Sequence, residues 1–408
     1  MASDRANSAV PGFALVAGAS AVAGVAGYAI TIVAARLLGV DYATFGVFWS
    51  ALYFGVGALA GAQQAFAGMA RRASNDEGEP VTVRSAIGWS LASSVALSAL
   101  AVSAVAPSSF SDPVEFGAAL LVGLMTYGLY AVALGSLYGA HRWRIVATVT
   151  VLDPVLRLVA IAAIIMLGGG LVGAVWAAVL PIPLLALCLL FVVGRDRSLV
   201  LDRSVGAALR AAGLVIAGGV AASFVINGIP LIFGVIAPAD EGAAVGQYIF
   251  AFILVRAPLV VGLLALQSYL VVYLRDARRI GRTLALVCAA IASAGVVLAG
   301  VMLKFGERIV DLVAGELGSV DGAVLAGIAI ASATTGVLVA TGAWTIARGQ
   351  AYVYTVGWWV TAIALVALAA LLPGDAVSKV TIASIVAPLF GAAAHLLGVR
   401  ALRDASAS

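Results

Sequence analysis

The sequence predicts an all-α, polytopic membrane protein of about twelve transmembrane helices, on three observations. Of its 408 residues, 63% are hydrophobic and 10% are charged, against roughly 25% charged residues in a soluble domain. Apolar runs follow one another along nearly the whole chain, each near the ~20 residues that a helix needs to cross a hydrocarbon core. The short alternating segments of a membrane β-barrel do not occur among them. Inside lipid a segment must satisfy its own backbone hydrogen bonds, and a helix does so alone.

In chain order, the first half offers spans over 12–35, 43–70, 84–106, 114–138, 145–168 and 170–193. The second half offers 207–235, 245–273, 283–303, 322–346, 352–372 and 376–398. The first run is too long for the apolar segment of a cleaved signal peptide and is expected to stay as the first span. Cys188 and Cys288 fall inside apolar runs without a partner at metal-ligand or redox spacing, so both read as small hydrophobes.

Orientation follows from the basic residues, which collect in short cytoplasmic loops. With the N-terminus inside, the cytoplasmic set is Arg5, Arg71, Arg72, Arg84, Arg142, Arg144, Arg195, Arg197, Arg203, Arg210, Arg275, Arg278, Arg279, Arg282, Arg348, Arg400 and Arg403. Outside lie Arg36, Lys304, Arg308 and Lys379, while Arg157 and Arg256 sit within apolar runs. Both termini are therefore expected in the cytoplasm and the chain in the inner (plasma) membrane. This asymmetry accounts for the net charge of +4 and leaves no basic surplus for a nucleic-acid partner.

The longest basic interior loop, residues 194–210, splits the spans six and six, which suggests lobes over 1–200 and 201–408. Residues 38–48, between spans one and two, and residues 237–250, between spans seven and eight, are each a short acidic loop entering a helix through glycine and aromatics. A parallel repeat about an axis along the membrane normal explains this likeness, and so does the ordinary composition of an outer loop. From Lys304 to Asp321, Phe305, Ile309, Leu312, Val313 and Leu317 recur at helical spacing. Either an interfacial amphipathic helix or an extension of span nine fits that pattern.

Several short motifs occur in a telling order. Ala34-Ala35-Arg36-Leu37-Leu38-Gly39 closes span one, Tyr42 and Phe45-Gly46 open span two, and Arg71-Arg72 ends it. Leu137-Tyr138-Gly139-Ala140-His141-Arg142 follows span four, Asp153-Pro154-Val155-Leu156-Arg157 lies in span five, and Val255-Arg256-Ala257-Pro258 lies in span eight. Over its whole length the chain resembles the Wzx-type polysaccharide flippases. That resemblance implies two six-helix lobes around a central cavity, as in the superfamily that also holds MATE drug exporters and the MurJ lipid II flippase. It implies a polyprenyl-diphosphate-linked oligosaccharide as cargo. MurJ-like proteins have extra C-terminal spans without a counterpart here, which points away from the peptidoglycan precursor.

Ionisable side chains within a span are costly and need a reason. Arg256 lies well inside span eight, next to Pro258. Its guanidinium stays charged and its planar fork matches phosphate oxygens, so under the resemblance it anchors the diphosphate. Alternatively it satisfies backbone carbonyls freed by Pro258 or pairs within the bundle. Asp153 and Arg157, four apart, share a helix face and form a neutral pair. The pair is either structural, with Asp153 capping a helix restarted at Pro154, or a cavity-facing pair opened by phosphate or a proton. Arg36 is an interfacial snorkelling residue or part of an outer mouth. Gln63, Gln64, Asn227 and Gln267 suit sugar hydroxyls, and equally suit hydrogen bonds between helices. Phe45, Trp49 and Tyr53 form a stripe suited to sugar stacking or to an outer aromatic belt.

The sequence holds no metal-ligand cluster, nucleotide-binding glycine motif or nucleophile with a base. With His141 and His395 as its only histidines, it is expected not to be an enzyme and to need no cofactor, with proton or sodium coupling left open. The expected function is flipping a polyprenyl-diphosphate-linked glycan to the outer leaflet by alternating access. Expected partners are that glycan lipid, membrane lipids, and a glycan polymerase and glycosyltransferases. The rivals are a MATE-like exporter of cationic drugs, which wants carboxylates in its cavity, and a glycan polymerase or ligase, which wants a large outer loop.

Overall fold

The computed structural model describes residues 2–72, 81–82, 112–196, 199–201, 205–237, 244–256, 270, 274, 280–314 and 320–407. Eight stretches among them are long and apolar enough to cross a membrane. The first, Gly18–Ala60, runs through α1 (Ala2–Leu38) and α2 (Tyr42–Met69), separated by a 3-10 turn at Gly39–Asp41. The others include α3 (Pro113–Gly139) and α4 (Trp143–Met166). The expected span 84–106 and the latter part of 245–273 lie outside the described residues. The protein is a predominantly helical, multi-span membrane protein, as its composition predicts.

Two expected spans are each a pair of helices in series. The run 170–193 comprises α5 (Gly170–Val179) and α6 (Pro181–Arg195), meeting at Leu180. After the linker, the run 207–235 comprises α7 (Val205–Asn227) and α8 (Ile229–Ile236), meeting at Gly228. Proline opens the second helix each time, with Pro181 and Pro183 in α6 and Pro230 in α8. A proline has no N–H to donate to the carbonyl four residues back. The carbonyls of Ala177, Val179 and Ile226 therefore lose their usual helical donor.

The chain forms two compact units, Met1–Leu38 with Val47–Ser223, and Gly39–Gly46 with Phe224–Ser408. In the first, α1 runs along α4, α3 packs on α6, and α4 on α5. Gly135 and Gly139, one turn apart on α3, let α2 come to backbone contact, since a Cβ at either would collide with the carbonyl of Gln63 or Ala70. Small residues four apart give membrane helices this close approach. Asp112 caps α3 by accepting from the Glu115 N–H at 3.1 Å, and Glu115 Oε1 accepts from Trp176 Nε1 of α5 at 2.7 Å.

One feature of the first unit departs from the expected loops. Strands β1 (Ala70–Arg72), β2 (Val81–Thr82) and β3 (Leu199–Leu201) form a small antiparallel sheet in the order β1-β3-β2. Arg71 pairs with Val200, and Val81 with Leu201. The linker after α6 is thus the central strand of a sheet whose edges come from the loop after α2. Asp196, at the start of that linker, is ion-paired with Arg142.

The second unit contains Ala244–Arg256 (α9), then α10 (Ile280–Ala314), α11 (Gly322–Ala347), α12 (Ala351–Leu371) and α13 (Ala376–Ala407). Helix α10 continues unbroken through Lys304–Ala314, so the amphipathic pattern there belongs to an extension of span nine. Glu307 Oε1 accepts from the Gly322 N–H at 3.0 Å, and Asp321 caps α11 through the Ala323 N–H at 2.7 Å. At the head of α13, the Ser378 N–H and hydroxyl both donate to Asp375 and hold its carboxyl below the usual range. The two loops compared as a repeat meet here: Ile249 lies over Gly46, and Ala43 over Gly246.

Helices α11, α12 and α13 pack on one another. Gly391 of α13 faces Thr361 and the Gly357 carbonyl of α12 with no room for a Cβ. Gly391→Ala is expected to cost about 1–3 kcal/mol by overpacking, read as a lowered midpoint of thermal unfolding in lipid nanodiscs.

Candidate functional site

Among the described residues each unit buries one arginine that lies within an expected span, and each arginine meets an interrupted helix. In the first unit, Arg157 of α4 has 2% of its surface exposed. Its Nη2 donates to both carboxylate oxygens of Asp153, at 2.7 and 3.1 Å, and its Nη1 donates to the Ala178 carbonyl at 2.8 Å. Ala178 stands between the two carbonyls that Pro181 and Pro183 deprive of a donor. The guanidinium also lies over the Tyr53 ring, 5.6 Å from its centre, which adds a cation–π attraction. Trp49 and Tyr53 are in ring contact at 4.7 Å, and Tyr127 stacks on Tyr130 at 5.3 Å.

In the second unit, Arg256 ends the described part of α9 with 6% of its surface exposed. Its Nη1 donates to the carbonyls of Ile226 at 3.0 Å and Val225 at 3.3 Å. The first of these is the carbonyl that Pro230 leaves open. Nη2 is 3.5 Å from Thr335 Oγ1, the guanidinium lies over Phe252 at 4.8 Å, and Nε is unpartnered among the described residues. Beside it is a cavity of about 10 Å³ lined by Thr335, Thr361, Ser384 and apolar side chains. That space suits roughly one water and is far too small for a diphosphate in this state.

The two arginines differ in their charge balance. Asp153 neutralises Arg157, whereas none of the expected spans of the second half contains Asp or Glu. Among the described residues, Arg256 is thus a charge compensated by carbonyl dipoles and not by a carboxylate.

The remaining candidates are dispersed. Asn227, half-buried, is the last residue of α7 and adjoins the carbonyl held by Arg256. Arg36 is exposed in the last turn of α1, and Gln63 is half-buried on α2. Gln64 lies in α2 with its side chain outside the described residues, and Gln267 and Pro258 lie outside them altogether. No group of three or more His, Cys, Asp or Glu side chains suited to a metal occurs among the described residues. Sequence reasoning missed the interrupted helices as partners of the arginines. The prolines of α6 and α8, inside spans of ordinary length, were the available signal.

No family model matches the chain. It is 30% identical to Uncharacterized protein Rv3630 of Mycobacterium tuberculosis over 410 residues, covering 95% of this chain and 91% of that protein. It is 29% identical to Uncharacterized protein Rv1510 of the same species over 400 residues, covering 94% and 90%. Among solved structures, an inward-facing multidrug resistance MATE family transporter of the MOP superfamily superposes with a TM-score of 0.69 at 15% identity, covering 94% of this chain and 96% of that one. The outward-facing conformation of such a transporter gives 0.60 at 14% identity, covering 97% and 96%. A MOP superfamily transporter from Pyrococcus furiosus, described as having a binding pocket of reversed polarity, gives 0.58 at 16% identity, covering 96% of each chain. The fold is that of the MATE transporters, with two lobes.

Proposed function

Since the chain belongs to the family of the mycobacterial protein Rv3630 and has the MATE transporter fold, we propose that it flips an anionic, polyprenyl-diphosphate-linked oligosaccharide from the cytoplasmic to the outer leaflet by alternating access. The observation that carries this reading is the charge balance at membrane depth. A cationic drug needs an available carboxylate, and Asp153 is already held by Arg157 through two hydrogen bonds. Arg256 has no carboxylate in the expected spans of its half, so the second unit has a positive surplus that favours an anion. The reversed pocket polarity described for the Pyrococcus furiosus protein supports the idea that this fold serves more than one sign of cargo charge.

In this reading the diphosphate displaces the Ile226 and Val225 carbonyls from Arg256. Charge-assisted bonds to phosphate are stronger than bonds to a neutral carbonyl, so cargo binding loosens the junction of α7 and α8. Asn227 moves with that junction and contacts the head group. Arg36, Gln63, Gln64 and Gln267 serve the glycan along its path, and the Asp153–Arg157 pair stiffens the first unit. The glycan polymerase and glycosyltransferases of the same assembly line act on either side of the flipping step.

The test is mass spectrometry of lipid-linked glycans in cells depleted of the protein, with a membrane-impermeant reagent reporting the leaflet. Accumulation of one polyprenyl-diphosphate glycan in the inner leaflet is the expected result and identifies the cargo. An unchanged glycan pool together with altered drug susceptibility transfers the assignment to a small-molecule exporter.

A further inference from the structure

We propose that His395 is a proton-binding site in the second unit and that a proton bound there is the coupling ion of transport. The coupling rests on the transport reading above, whereas the protonation does not. Apart from Glu115 at the edge of its span and the two cysteines, Asp153 and His395 are the only side chains in the expected spans that exchange a proton within the ordinary aqueous range. Asp153 is occupied by Arg157. That leaves His395.

His395 lies on α13, fully buried, in a pocket built from glycine. A Cβ at Gly357 of α12 would collide with the imidazole, and one at Gly342 of α11 would press on its edge at 3.4 Å. The Tyr354 ring lies parallel to it, tilted by 5° with centres 6.2 Å apart. Nε2 is 3.1 Å from the Tyr354 carbonyl. A carbonyl only accepts, so Nε2 carries a hydrogen in every state of the ring.

Nδ1 is 3.0 Å from Thr341 Oγ1, and that oxygen is also 3.0 Å from the Leu338 carbonyl. A threonine hydroxyl has one hydrogen and can also accept. When the ring is neutral, the hydroxyl donates to Nδ1. When Nδ1 takes up a proton, the ring donates to Oγ1 and the hydroxyl turns to donate to Leu338. Both charge states keep each of these polar atoms bonded, and rotation of one hydroxyl interconverts them. A histidine held only as a structural donor needs no such second arrangement.

The surroundings give the added charge a consequence. Helices α11 and α8 contain no ionisable residue, α12 contains Tyr352 and Tyr354, and α13 adds Lys379, Arg400, Arg403 and Asp404. Arg348, at the end of α11, lies over Trp344 at 5.7 Å. No carboxylate is within hydrogen-bonding distance of the imidazole among the described residues. Among the described residues a protonated His395 is therefore a buried cation without a counter-ion, and burial of such a charge is unfavourable. Protonation favours an arrangement of α11, α12 and α13 in which water reaches the ring.

The experiment uses His141→Asn protein in nanodiscs, in which His395 is the sole histidine, labelled with ¹⁵N. The expected spectra show a neutral ring with its hydrogen on Nε2 at about pH 8 and an imidazolium at about pH 3. Thr341→Val removes the donor to the neutral ring and the acceptor of the charged one, and because the charged form loses the stronger bond the midpoint is expected to fall by about one pH unit, a tenfold loss of proton affinity. A ring that stays neutral over this range overturns the site. In proteoliposomes, with a short-chain polyprenyl diphosphate carrying one hexose as probe, wild-type flipping is expected to accelerate under an imposed pH gradient, and His395→Gln to be indifferent to it. Equal gradient dependence in both proteins overturns the coupling. Absence of wild-type flipping counts against the cargo reading, and the titration is still read without cargo.

Discussion

Arg256→Ala abolishes transport and destabilises the second unit, and adding Pro230→Ala restores the stability but not the transport. The expectation follows from the carbonyl of Ile226, which Pro230 leaves without a backbone donor and which Arg256 supplies at 3.0 Å. Removing the guanidinium leaves that buried carbonyl unsatisfied at a cost of about 1–3 kcal/mol. Alanine at 230 returns an N–H to the same carbonyl and offsets the loss. It does not return a positive charge. Thermal unfolding in nanodiscs and the flipping assay, run on both variants, separate the two roles of Arg256. Recovery of transport in the double variant would reduce Arg256 to a helix cap and remove the proposed diphosphate contact.

Asp153→Asn should be the most destabilising change in the first unit. It leaves Arg157, 2% exposed, with a carbonyl and an aromatic face but no counter-charge. Breaking a buried pair from one side costs about 3–5 kcal/mol. The side chain of Asp153 is 21% exposed, so solvent screening reduces this to about 2–4 kcal/mol. Replacing the pair together, as Asp153→Leu with Arg157→Met, is expected to restore most of the stability, because no lone charge remains. The measurement is again the unfolding midpoint, now for the single and double variants. A single variant as stable as wild type would show that Arg157 does not depend on Asp153 for its counter-charge.

Much of the fold was legible because lipid imposes one demand on every span. Composition and run length located α3, α4 and α10 to α13 directly, and the four-residue spacing of Asp153 and Arg157 announced their pairing. Partners across helices were not legible. The sequence placed Arg256 beside Pro258 and suggested carbonyls freed by that proline, whereas the carbonyl it holds belongs to Ile226, thirty residues earlier. Such a contact depends on which helices are neighbours, and spacing along one chain does not encode this. The pocket of His395 takes glycines from two other helices, and nothing near His395 in sequence marks them. Strands β1 to β3 were invisible because two or three residues carry no period, and only their register gives them meaning.

Helix α10 also offers a gauge of immersion. Its 35 residues extend for about 52 Å, while the hydrocarbon layer is about 30 Å thick. Val296, Val297, Leu303, Phe305 and Leu312 are all exposed along this single rod, and Glu307, Arg308 and Asp311 enter the sequence only near its far end. Consecutive positions therefore sample acyl chains, headgroups and water without a change of secondary structure. Spin labels placed singly along α10 would read, from their oxygen and nickel accessibilities, where the bilayer surface crosses the helix. Repeating the series in thinner and thicker lipids would show whether the protein shifts in the membrane or the membrane adjusts to the protein.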